Sequence, residues 1–236
     1  MLRALLLGDH SETATHSVEQ MSRVLSDLYD GMFQVETQTQ YGALTAKTLT
    51  NFDLVINYAA KWAENGTRQA AGALTAYVAD GGNYLALHAG LEYGTAAFGL
   101  NCLTASRLID KGSPCLMRFE KTKTVSPITD GLAPFEVLEE PARYFLDPVV
   151  SPAVLIQAPY GSCQLPVLWS RHFGWGSVVC LTAGIPETPL PHFFRRCCTA
   201  RRCGSLTEYK CRQGGYADEK GVYLRGRYIS TASSGR

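Results

Sequence analysis

The segment NYLALHAGLEYG, residues 83–94, decides how the rest of the chain is read. Tyr84 to Leu87 is an uninterrupted apolar run, the pattern of a strand buried on both faces. His88 stands where that strand must bend, Gly90 follows it, and the spacing predicts a helix just beyond, with Glu92 about one turn on. Strand-to-helix bends of this kind hold a reactive side chain above the end of a sheet. The residue so held is usually Ser or Cys, so a histidine there calls for a reason.

Similar runs lie upstream. Leu2 to Leu7 and Phe52 to Asn57 read as buried strands, and Phe33 to Thr37 as a short alternating one. Helices are expected between them. One opens at Ser17, with Gln20 as a capping-box partner and Val18, Met21, Val24, Leu25 and Leu28 as its apolar stripe, and ends at Gly31. Another spans Thr67 to Asp80, turning Leu74, Tyr77 and Val78 inward before Gly81-Gly82 stops it. Alternating short apolar strands and helices imply an α/β fold with a doubly wound, mostly parallel sheet. After residue 112 the texture changes to strands separated by Pro and Gly: Leu116 to Lys121, Phe135 to Leu138, Tyr144 to Val149 and Ala153 to Gln157. LPVLWSRHFGWGSVVCLTAG then reads as a hairpin turning at Phe173-Gly174-Trp175-Gly176, so an antiparallel β portion is added to the sheet.

The chain has 236 residues, 46% apolar and 18% charged, enough for one large domain with a buried core. We place that domain at residues 1–196, with a closing helix from Pro191 to about Cys198. Residues 197–236 form a divergent basic tail, flexible at its end. The net charge of +1 is uneven: residues from Arg195 onward carry +7 and the rest −6. An acidic body argues against a nucleic-acid surface. No run approaches the roughly 20 apolar residues of a membrane span, and the N-terminal apolar run is too short for a signal peptide. A cytoplasmic setting is therefore expected, with Cys102, Cys115, Cys163 and Cys180 as small core residues. Cys197, Cys198, Cys203 and Cys211 lack the paired spacing of a zinc site.

In a doubly wound sheet, ligands sit beyond the carboxyl ends of the strands. The first strand delivers Asp9 and His10 there, and its loop leads to His16. The strand from Phe52 delivers Asn57 and Tyr58, and the strand from Tyr84 delivers His88 and then Glu92. Three of the five histidines thus converge on one edge. Neutral imidazoles there can ligate a divalent metal at an open site, or take and give protons near neutral pH. Asp9 or Glu92 would orient them or share the proton. The spacing leaves both chemistries open. His10 as a solvated loop residue, His16 as a helix cap and Glu92 as a first-turn helix acid are the plainer alternatives. Tyr144 is a further candidate, whereas His172 and His192 read as structural and surface residues.

The order of ALLLGDH, FDLVINY, LTAYVADGGNYLALHAG, SPITDGLAPFEVLEEPARYFL and LPVLWSRHFGWGSVVCLTAG resembles the trehalose-utilisation (ThuA-like) family. That family belongs to the class I glutamine amidotransferase-like superfamily, and the resemblance runs from Leu2 to Arg196. It implies a flavodoxin-like sheet. It also accounts for the bend. Ala86-Leu87-His88-Ala89-Gly90 occupies the frame in which amidotransferases carry Gly-x-Cys-x-Gly, so His88 stands at the cysteine position. Glutamine hydrolysis needs a thiolate there, so amidotransferase and cysteine-peptidase activity are not expected.

What the resemblance implies instead is catabolism of trehalose or related disaccharides through keto-sugars. His88, His10, His16, Glu92 and Asp9 would carry the chemistry, and Asn57, Tyr58 and Tyr144 would contact the sugar. The partner expected is a small-molecule sugar rather than nucleic acid or membrane, and a homodimer is one way to cover the sheet edges. The alternative is a non-catalytic sugar-binding or regulatory protein. Family members usually show Gly-His after the last strand, where this chain has Gly184-Ile185.

Overall fold

The computed structural model describes residues 2–9, 17–28, 33–62, 66–93 and 97–184. His10, His16, Gly31, the closing helix and the basic tail lie outside them. Eleven strands are present among the described residues: β1 (Leu2–Leu7), β2 (Phe33–Gln38), β3 (Leu54–Asn57), β4 (Asn83–Leu87), β5 (Ser106–Lys111), β6 (Cys115–Lys121), β7 (Phe135–Glu139), β8 (Ala142–Leu146), β9 (Ala153–Tyr160), β10 (Cys163–Phe173) and β11 (Gly176–Leu181). Nine form one sheet in the order β2-β1-β3-β4-β11-β10-β9-β6-β7, and β5 and β8 pair as a small second sheet.

The large sheet is parallel from β2 to β11 and antiparallel from β11 to β7. The added antiparallel portion is therefore mostly a continuation of the parallel half, and only β5–β8 stands apart. β11, the last described strand in sequence, sits between β4 and β10 and joins the halves. Its hairpin with β10 closes through Gly174 and Trp175, with Gly174 at φ 58. A side chain at Gly174 would come within 2.4 Å of the Ala79 carbonyl oxygen, which already accepts the Trp175 N–H at 2.9 Å.

Alternate residues build two cores, as the pleat requires. Ala4, Leu6, Leu85 and Leu87 face one, with Val18, Met21 and Leu25 of helix α1 (Val18–Leu28). Ser17 opens α1, its hydroxyl accepting the Gln20 N–H at 3.3 Å. Leu5, Leu7, Tyr84 and Ala86 face the other, under helices α2 (Ala46–Leu49), α3 (Arg68–Ala79) and α4 (Phe98–Thr104). Thr67 caps α3 by accepting the Ala70 N–H at 3.0 Å, and Leu74, Tyr77 and Val78 point inward as their spacing predicts.

Several expectations are corrected. No α-helix follows His88 directly: a 3-10 turn spans His88–Leu91, and α4 begins only at Phe98. The strand expected to run to Val149 ends at Leu146. Asp147 turns the chain there, accepting the Val149 N–H at 2.8 Å, and Pro148 cannot donate to a ladder. β5 was not anticipated, because five of its six residues are not fully buried and no apolar run marks it. Cys180 is a core residue, but Cys102 and Cys163 are exposed.

Candidate functional site

β1, β3, β4 and β11 end in register, since Leu7 pairs with Asn57, Asn57 with Ala86, and Leu87 with Leu181. Asp9, Tyr58, His88 and Thr182 therefore emerge along one edge. His88 takes the left-handed conformation at φ 47, which an L-residue adopts only when its surroundings enforce it. Two glycines make room for this bend. A Cβ at Gly90 would lie 1.9 Å from the Asn57 carbonyl oxygen, and a Cβ at Gly184 would lie 2.5 Å from the His88 Cβ.

His88 is buried. Its Nδ1 lies 2.8 Å from the Thr182 carbonyl oxygen. A carbonyl oxygen only accepts, so Nδ1 carries the hydrogen and the neutral ring keeps its lone pair on Nε2. Glu139 Oε1 lies 4.0 Å from the same Nδ1 and becomes an ion-pair partner once the ring is protonated. This carboxylate comes from the far end of β7 and is only 2% exposed. Oε1 accepts the Glu140 N–H at 3.1 Å, and Oε2 accepts the Gly184 N–H at 3.4 Å. Burial pushes its pKa above the usual carboxylate value against the pull of those N–H groups, with Glu140 adding to the rise and Lys111 opposing it.

Sequence reasoning did not single out Glu139. Its signal was the EEPARY segment, where two adjacent acids precede a proline. Only the alternation of β7 reveals that the first acid points inward while Leu138 points out.

The other candidates divide. Tyr58 is buried beside Glu139, and burial first, then the Glu139 charge, raise its phenol above its ordinary range. Asp9 is held in the framework. Its Oδ1 accepts the Tyr41 hydroxyl at 3.0 Å, and its Oδ2 accepts the N–H groups of Ala60 at 2.6 Å and Lys61 at 3.2 Å. Asn57 is fully buried. Its amide donates to the Tyr84 hydroxyl and the Gly90 carbonyl, and its oxygen accepts the Trp62 indole N–H and the Ala59 N–H. Those four bonds fasten the bend to β3 and use the full capacity of the side chain.

Glu92 is bound by Lys111, which also lies 3.7 Å from Glu140. Tyr144 belongs to the opposite core, tilted against Trp169 with ring centres 5.5 Å apart. The structure thus brings His88 and Tyr58 together around Glu139, places Glu92 at the rim, and sets Tyr144 in the second core, where burial and then the Glu92 charge raise its phenol. Beyond Lys111 lies an open cleft of about 560 Å³, lined by Asp110, Arg143, Tyr160 and Ser162. There Arg143 Nε donates to Asp110 Oδ1 at 2.9 Å. Among the described residues no three His, Cys, Asp or Glu side chains are grouped as metal ligands.

Stability should record the Glu139 environment. A carboxyl whose folded pKa is raised adds stability that is fully present below its unfolded pKa of about 4.3 and is lost as pH rises through the folded value. The melting temperature of the wild type relative to Glu139→Gln should therefore rise as pH is lowered from neutrality through the folded pKa to the unfolded value of about 4.3. A difference that does not change with pH would show that Glu139 titrates alike in the folded and unfolded chain.

The family model for trehalose utilisation (ThuA) matches residues 3–188. No curated protein matches the sequence. Among solved structures, a ThuA-like protein of Bacteroides uniformis is 15% identical, with a TM-score of 0.66 over 84% of this chain and 90% of that one. A ThuA-like protein of Parabacteroides merdae is 15% identical, with a TM-score of 0.64 over 83% and 88%. A cytoplasmic protein of Salmonella typhimurium LT2 is 16% identical, with a TM-score of 0.60 over 83% and 97%. At such identities the structures establish a shared fold. Among the described residues no helix is long and apolar enough to cross a membrane.

Proposed function

The chain belongs to the trehalose-utilisation (ThuA) family, and from that premise we propose that it acts on a disaccharide or keto-sugar by proton transfer centred on His88. The observation that carries this reading is the buried His88–Glu139 pair at a left-handed bend. With Nδ1–H directed at Thr182, Nε2 is the nitrogen that takes a proton from a sugar hydroxyl or from a carbon next to a carbonyl. The resulting imidazolium faces Glu139, which offsets its charge.

Tyr58 lines the sugar side of Glu139, and Glu92 with Lys111 forms the rim. Asp9 and Asn57 hold the strand ends that present these groups, and Tyr144 supports them from the opposite core. His10 and His16 assist, as proton carriers or, with His88, as ligands of a divalent metal acting as a Lewis acid. The cleft beyond Lys111, with one exposed tyrosine and paired opposite charges, suits the remainder of a hydroxyl-rich substrate. Glutamine amidotransfer is excluded on this reading, because an imidazole at position 88 cannot form the thioester.

The order β2-β1-β3-β4-β11 supports a flavodoxin-like assignment for the parallel half. Residues 1–196 act as the one domain, with 197–236 as a basic extension. Free thiols at Cys102, Cys115, Cys163 and Cys180 suit a cytoplasmic protein.

The deciding experiment incubates the full chain with trehalose and with a carbonyl-bearing disaccharide derivative, with and without added divalent metal, and follows the sugars by NMR. Conversion of either sugar supports the proposal. Saturable binding without conversion favours a sugar-binding or regulatory role, the reading suggested by Ile185 standing where relatives carry histidine. Absence of binding by both sugars ends both readings.

A further inference from the structure

The β6–β7 hairpin is the far end of the large sheet, and among the described residues no strand lies outside β7. Its inner face is core: Met117, Phe119 and Val137 are buried. Its outer face carries Arg118, Glu120 and Glu136, charges of the kind that blunt a sheet edge, but it also presents two leucines. Leu116 is paired across the ladder with Leu138, and Arg118 with Glu136. The two leucines are 66% and 63% exposed. Arg118 also donates to Glu120 at 2.7 Å on its own strand.

We propose that this outer face joins two copies of the chain in a two-fold dimer. The alternation of the strands sets the four side chains in two rows on one face, leucine opposite leucine and arginine opposite glutamate. A two-fold contact requires a patch to complement itself. An axis parallel to the strands and running between β6 and β7 does this. It lays Leu116 over the partner's Leu138 and Arg118 over the partner's Glu136, and each contact recurs with the copies exchanged. Two like charges in the second row could not close in this way. The result is a row of leucine contacts beside a row of ion pairs, an apolar part next to a polar rim. Within one chain Arg118 and Glu136 already form a cross-strand pair, and the two-fold arrangement adds a second pairing of the same charges between copies. The inference is independent of the proposed chemistry, although Leu138 immediately precedes Glu139.

Sedimentation of the full 236-residue chain across its soluble concentration range tests it. The wild type should dimerise reversibly. Leu138→Glu should raise the dimer dissociation constant by about a hundredfold, because each substitution is present twice in the contact, while circular dichroism stays unchanged. Arg118→Glu and Glu136→Arg should each weaken the dimer, and the double variant should recover most of the loss. A wild type that stays monomeric overturns the proposal, as does a dimer indifferent to Leu138→Glu. Single reversals that have no effect, or that the double variant does not rescue, overturn it as well.

Discussion

Replacing His88 by alanine is expected to lower sugar turnover by about 10² to 10⁴-fold, the usual contribution of a positioned acid–base group. The loss should fall on kcat more than on KM, since the imidazole is proposed to act on the reacting proton while the rim and cleft hold the rest of the sugar. The fold should survive. Alanine removes the ring and its contact to the Thr182 carbonyl, and it adopts the left-handed backbone of residue 88 somewhat less readily than histidine, so a modest fall in melting temperature accompanies the change. Kinetics on a converted sugar, with melting curves as the folding control, check this. A turnover within about threefold of wild type, far below that acid–base range, would remove His88 from the chemistry.

Gly90→Ala is expected to act on stability instead, costing about 3 kcal/mol or more. The new methyl group would lie 1.9 Å from the Asn57 carbonyl oxygen and 2.5 Å from its carbonyl carbon, both backbone atoms of a central strand that has no room to yield. The Gly90 carbonyl would also be displaced from the Asn57 amide that it accepts at 2.8 Å. Denaturant unfolding measures the loss. Gly72→Ala is the control of opposite sign: a Cβ there meets nothing within 4 Å, and alanine in an exposed helix interior stabilises by up to about 1 kcal/mol. Equal effects from the two variants would mean that the bend yields where the packing says it cannot.

Much of this architecture was legible in the sequence because burial writes itself into pattern. β1 is apolar apart from Arg3 and has matching bounds, and α3 was marked by Thr67 in front and two glycines behind. The bend at His88 was legible for the same reason. The turn immediately after it was not. One 3-10 turn and one helical turn begin with the same residues, and the difference lies in contacts with Asn57 and Gly184 that are distant in sequence. β5 was hidden because an exposed strand has no apolar alternation to display.

At the site, residues that come just after parallel strands could be collected by rule. Glu139 could not, because it arrives from the antiparallel half, and no local pattern announces that the end of β7 reaches the residues that follow β4 and β11. Conversely, Asn57 and Asp9 are polar residues at strand ends whose hydrogen bonds turn inward to the framework. Residue type and position alone do not separate such a staple from a ligand-facing group.

The central place of β11 bears on how the chain matures during synthesis. Translation delivers β4 about ninety residues before the strand that will lie beside it, since Asn83 pairs with Ser177. Until then β4 and β10 each present an open edge, and the two halves of the sheet have no strand in common. Such long-range pairing is slow and leaves nascent edges exposed to other chains. His88, Glu139 and Thr182 come from three separate stretches, so the polypeptide acquires its reactive pair only after nearly all of the described sequence has left the ribosome.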